Sequence, residues 1–108
     1  MPYEVFLTAD AAVDLEDLQG YILAQDGPAR AAHVLERIEA VFESLTANPH
    51  RGVWPAELLE IGLREYREVF FKPYRIIYRV IDTSVFVMLV ADGRRDMQTL
   101  LQRRLVQA

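Results

Sequence analysis

YREVFFKPYRIIYRVI, residues 66–81, decides the fold. Tyr66 to Phe71 and Tyr74 to Ile81 are rich in aromatic and branched side chains, and only Lys72-Pro73 separates them. That pattern predicts two strands joined by a tight turn. A third run, Val85 to Val90, follows Asp82-Thr83-Ser84. Links this short leave room only for neighbouring antiparallel strands, so residues 66–90 form a meander.

Upstream, the periodicity changes from two to that of a helix. Leu35, Ile38, Phe42 and Leu45 make one apolar stripe, with Glu36, Glu39 and Glu43 off it, and Asn48-Pro49 ends the run. This helix starts at Pro28, after the Asp26-Gly27 break. An earlier helix carries Leu15, Leu18 and Ile22 on one side and begins at Thr8, an N-cap residue with Asp10 in the first turn. Gly20 inside it either marks close packing or is merely tolerated. Tyr3 to Leu7 alternates like a short strand. Between hairpin and meander, Pro49 to Gly62 reads as a connecting segment in which Trp54 serves as a packing anchor. Past the meander, Asp92-Gly93 ends the last strand, and Arg94 to Val106 predicts a helix burying Met97, Leu100, Leu101 and Leu105. The expected fold is therefore α+β: an N-terminal strand, a two-helix hairpin, a three-stranded antiparallel meander and a C-terminal helix, in one domain over residues 1–108.

The formal net charge of −4 conceals a division. Up to Gly62 three basic residues face eleven acidic ones; from Leu63 onward nine basic residues face five acidic ones. The back half is thus the candidate anion-facing half. No cysteine occurs, which removes disulfides, thiolate metal sites and cysteine nucleophiles and fits the cytoplasm. No apolar run is long enough to span a bilayer. His33 and His50 lie in different elements without partners at metal-ligand spacing, so no metal and no cofactor are expected.

Eleven of the twelve basic residues are arginine, a choice that suits planar recognition of phosphate or carboxylate and equally suits ion pairs. The strand period puts Arg75, Ile77 and Arg79 on one face of an apolar strand. An unpaired buried guanidinium is prohibitive, so Arg75 must either reach an acidic partner inside the fold or open onto a groove. Arg94 and Arg95 follow the neighbouring strand, which makes a cluster with Arg75 geometrically plausible.

Gly62-Leu63-Arg64-Glu65-Tyr66, then Tyr74-Arg75-Ile76-Ile77-Tyr78-Arg79-Val80, then Gly93-Arg94-Arg95-Asp96 after the last strand resemble the RelE/ParE superfamily of toxins of bacterial type II toxin–antitoxin systems. Tyr3 to Thr8, Asp14-Leu15 and Asn48-Pro49 ahead of Gly52 are similar too, so the resemblance covers essentially the whole chain. It implies one of two activities on one fold. RelE-like members cleave messenger RNA in the ribosomal A site, without metal; ParE-like members bind DNA gyrase and block it, a role associated with plasmid stabilization and growth regulation.

On the RelE-like alternative, Arg75 and Arg95 occupy the phosphate-engaging positions and Glu68 is the one candidate base. Two features weigh against it. No tyrosine or histidine follows Tyr78 to transfer a proton, and arginine is a poor base. A net charge of −4 also ill suits a protein that must grip many RNA phosphates. The resemblance is thus closer to the ParE type, a gyrase-binding inhibitor and not an enzyme, with Arg64, Arg75, Arg94 and Arg95 as target-binding residues. A member that has lost toxicity and persists as an antitoxin-binding partner is a further alternative. The family also implies a cognate antitoxin, a small protein with a DNA-binding domain and a disordered tail. Tyr21, Leu23, Val34 and Val41, lying off the main helix stripes, are the expected antitoxin-binding residues. No membrane contact is expected, and direct nucleic-acid binding belongs only to the RelE-like alternative.

Overall fold

The computed structural model describes residues 2–106. β1 (Glu4–Leu7) leads through Thr8 into α1 (Ala9–Asp26), and α2 (Pro28–Ala47) completes a helical hairpin. The Thr8 side chain accepts from the Ala11 amide at 3.1 Å, which satisfies one of the open donors at the helix start. Gly27 joins the helices at φ 89°, in the left-handed region that glycine enters without a Cβ penalty. A Cβ at Gly20 would have nothing within 4 Å, so that glycine is tolerated and not a close-packing point.

The meander follows as β2 (Arg67–Phe71), β3 (Tyr74–Ile81) and β4 (Ser84–Asp92). The sheet order is β1-β4-β3-β2, antiparallel within the meander, with β1 added parallel to β4 as an edge strand. Both sheet faces are covered. On one side Val69, Tyr74, Ile76, Tyr78, Val85, Val87 and Val90 pack against the hairpin residues Ala11, Ile22, Val34, Ile38, Phe42 and Leu45. Fully burying a side chain such as Ile38 or Leu45 contributes about 1.5–3 kcal/mol each. On the other side Ile77, Leu89 and Ala91 pack against Tyr66, Leu58, Met97 and Leu101.

Leu58 belongs to an element the sequence did not announce: α3 (Ala56–Leu59), a single turn inside the expected connecting segment. The C-terminal helix is shorter than expected. α4 spans Met97–Leu101 and continues as a π-helical turn, Gln102–Val106. Asp96 delays its start by taking the N-cap role, accepting from the Thr99 amide at 3.2 Å and its hydroxyl at 2.8 Å. Arg94 and Arg95 therefore lie in the turn before α4.

A bulge at Met88 shifts the β3/β4 register between Ile77 and Tyr78. β1 ends opposite Val87, so β4 beyond that point has no strand on its outer side. Side chains take over there. Asp14 of α1 accepts from the Val90 amide at 3.0 Å, and Arg104 donates to the Met88 carbonyl at 3.1 Å. Arg104 and Asp14 also pair with each other through two bonds of 3.1 Å, tying α1, the bulge and the C-terminal turn together. No helix among the described residues is long and apolar enough to cross a membrane.

Candidate functional site

Arg75 lies on the sheet face shared with α3 and α4. Its Nε donates to Glu68 at 2.7 Å, one terminal nitrogen to Glu57 at 2.7 Å, and the other to both Glu57 at 2.7 Å and Glu68 at 3.1 Å. Four of the five guanidinium N–H groups are thus engaged by two carboxylates. Only 14% of the Arg75 side chain is exposed, against 25% for Glu57 and 5% for Glu68. Of the two fates open to Arg75, the fold chooses the internal ion pair. Hydrogen bonding to Glu57 and Glu68 pushes the guanidinium pKa up, and the bond to Arg75 holds the Glu57 carboxyl below its ordinary range. The triad carries one positive and two negative charges, so it repels an anion.

Glu68, the candidate base, is a buried ligand of this arginine. Sequence reasoning missed Glu57. It stands in α3, beyond any periodic pattern, and the one available signal was that Arg75 needed a carboxylate.

The arginines after β4 behave differently. Arg75's aliphatic stem passes close to Gly93, where a Cβ would lie 2.9 Å from its Cδ, so Arg75 and the turn are neighbours as expected. Their charged ends serve separate purposes. Arg94, exposed, folds back on Asp92 with its Nε 3.0 Å from the carboxylate, and that bond lowers the Asp92 pKa. Arg95 is exposed and lines a groove of about 600 Å³ between α1 and the end of β4, with Asp14, Asp17, Tyr21, Tyr74 and Asp92. No three-arginine phosphate clamp results.

Arg64 lies at the other end of the sheet. It is exposed and sits over the Trp54 ring at 5.3 Å, and Arg67 approaches the same ring at 5.8 Å. Trp54, expected as a packing anchor, is 41% exposed and holds these two guanidinium groups. Behind it, Gly52 admits Tyr78: its amide donates to the Tyr78 hydroxyl at 2.9 Å, and burial pushes that hydroxyl's pKa up.

Of the expected antitoxin-binding residues, Tyr21 is 66% and Leu23 49% exposed on α1. The other two need correction. Val34 is 2% exposed in the main core and Val41 is partly buried against it, because α2 buries a broader arc than the stripe from Leu35 to Leu45 suggested.

Residues 5–97 match the family described as the ParE toxin of the type II toxin–antitoxin system, parDE. Toxin ParE3 of Caulobacter vibrioides is 29% identical over 100 residues, covering 93% of this chain and 96% of that protein. Among solved structures, a chain of the chromosomal ParDE toxin–antitoxin system from P. aeruginosa superposes with a TM-score of 0.69 at 16% identity, covering 83% of this chain and 95% of that one. The E. coli toxin RelE, in a mutant form in the free state, gives 0.62 at 17% identity over 97% and 100% of the two chains. These two share the fold. A chain of the RelBE2 toxin–antitoxin complex from Mycobacterium tuberculosis is 28% identical with a TM-score of 0.56, covering 85% and 99%.

Proposed function

The chain belongs to the ParE toxin family of type II toxin–antitoxin systems, and from that premise we propose that it acts in the cytoplasm by binding and inhibiting DNA gyrase, without cleaving RNA. The observation that carries this reading is the closed state of Arg75, whose guanidinium is held by Glu57 and Glu68. Scission through a 2′-hydroxyl needs a cation for the phosphate, a base and an acid. Here the cation at the strand position is neutralised, the nearest carboxylate is its ligand, and no tyrosine or histidine follows Tyr78. A binding toxin needs none of these groups free. Arg64, Arg94 and Arg95 remain exposed for target contact, whereas Arg75 acts through the scaffold.

Purified protein is expected to inhibit gyrase supercoiling and to leave messenger RNA intact in a programmed ribosome. Codon cleavage with normal supercoiling overturns the proposal and favours the RelE-like alternative.

The proposed neutralising partner is a small antitoxin whose tail folds across α1, where Tyr21 and Leu23 expose apolar surface on either flank of the buried Ile22. Tyr21 and Leu23 are the contact residues. Replacing both by serine is expected to weaken binding of the adjoining reading frame's product at least about tenfold, since large apolar anchors dominate such interfaces, while the melting temperature holds. Unchanged affinity in a titration would place the antitoxin elsewhere.

A further inference from the structure

A hollow of about 310 Å³ opens where β3 ends and the chain enters β2, lined by His50, Arg64, Glu65, Arg67, Arg79 and Val80. Three guanidinium groups meet one carboxylate there, on a chain whose net charge is −4. Of these three arginines only Arg79 has an ionic partner among the described residues, Glu65 at 3.5 Å, and the two side chains are 40% and 52% exposed. Arg64 and Arg67 have none. They are fixed instead by Trp54, and Arg67 also by a bond of 2.9 Å to the Gly52 carbonyl. Arginines held in place by an aromatic ring lose little freedom on binding, and their forks match carboxylate geometry.

The surroundings restrict what can enter. Beside Trp54 stands Val53, 56% exposed, whose backbone bridges to β2 at Glu68. On the far side, His50 meets Tyr3 edge-on at 6.3 Å, and Tyr3 lines an adjoining hollow with Glu4, Glu39 and Glu43. A polynucleotide crossing the cationic hollow would run its phosphates into those three carboxylates. A short protein segment can place carboxylates on the arginines and an aliphatic side chain on Trp54 and Val53. Arginine and tryptophan side by side are also the composition of protein-binding hot spots.

We propose that this hollow is a docking site for an acidic, aliphatic-bearing segment of a partner protein, distinct from both the α1 face and the Arg75 triad. The inference does not rest on the gyrase reading, although Arg64 serves in both, because the occupant is read from the hollow's own charged and apolar lining. Trp54 is the chain's one tryptophan, so its fluorescence reports occupancy directly. The probe is a short tryptophan-free peptide of alternating glutamate and leucine, titrated into the full chain beside an oligouridylate of matched charge. The peptide is expected to produce a saturable change in Trp54 emission. Arg64→Gln, at an exposed position, and Arg79→Gln, at a half-buried one, are each expected to weaken it about tenfold, and Arg30→Gln, exposed on α2 near Tyr74 at the far end of the sheet, by less than about twofold. A tighter response to oligouridylate, no Trp54 response to the peptide, or an equal loss in Arg30→Gln would each overturn the proposal.

Discussion

Removing Arg75 should cost far more at neutral pH than in acid. Its guanidinium makes four hydrogen bonds of 2.7–3.1 Å to Glu57 and Glu68, and Glu68 is 4% exposed. Arg75→Met keeps much of the stem that packs beside Gly93 but leaves two carboxylates together without a cation. Breaking a buried pair from one side costs about 3–5 kcal/mol. For a chain of this size each kcal/mol corresponds to roughly 4–8 °C, so a fall of at least about 12 °C in melting temperature is expected at pH 7.

The pH dependence follows from the sign of each shift. In the native protein Glu57 is held below its ordinary 4.5, so its contribution is present above that value and lost as pH falls through the lowered one. In Arg75→Met two carboxylates stand together with no cation between them, a repulsion that acid relieves, so the penalty shrinks as pH falls. The gap between the two proteins should therefore narrow from pH 7 towards pH 4, read by thermal or urea denaturation. The triple variant Arg75→Met, Glu57→Gln, Glu68→Gln should recover most of the lost stability, because no net charge stays buried. If Arg75→Met costs under about 1 kcal/mol, or the triple variant is no more stable than the single one, the triad is not a scaffold element. Supercoiling inhibition by the triple variant then separates the roles: retained inhibition fits an Arg75 that acts through the fold, and lost inhibition means that it touches the target.

Gly52→Ala puts a Cβ 2.6 Å from the Tyr78 hydroxyl and 2.7 Å from the Glu68 carbonyl; overpacking of this kind costs about 1–3 kcal/mol, and an unchanged denaturation midpoint would contradict it. Arg104→Met removes the clamp on the outer side of β4, so amide hydrogen exchange should accelerate at Val90 and its neighbours while residues in β3 stay protected; uniform acceleration would mean global destabilisation instead. Val34→Asp should unfold the protein outright, in contrast to substitutions at Tyr21, because only the former lies in the core, and circular dichroism distinguishes the two.

Local signals were legible where they repeat. The bounds of β3 match the run from Tyr74 to Ile81, and Thr8, Gly27 and Pro28 mark the helix ends they suggested. α3 escaped because four residues carry no period, and Pro55 announces a turn as readily as a helix start. Arg94 to Asp96 looked helical by continuity with Met97 and Leu101, yet the Asp96 cap excludes them. At the site, the sequence posed the right alternative for Arg75 and could not choose. The chosen partners stand 7 and 18 residues away, one across a strand pair and one in that unannounced turn.

By itself the sequence determined the order of every element but α3, the antiparallel meander and the family, because those rest on periodicity, turn residues and motif spacing along the chain. Tertiary structure alone decided which arginines are available. Burial on the α3 and α4 face forces Arg75 onto two carboxylates, whereas at the Trp54 end of the sheet the exposed Arg64 and the half-buried Arg67 have none among the described residues. The same side chain is a scaffold bolt in one place and stays free of carboxylates in another, because its cost of desolvation is set by neighbours that no linear pattern encodes.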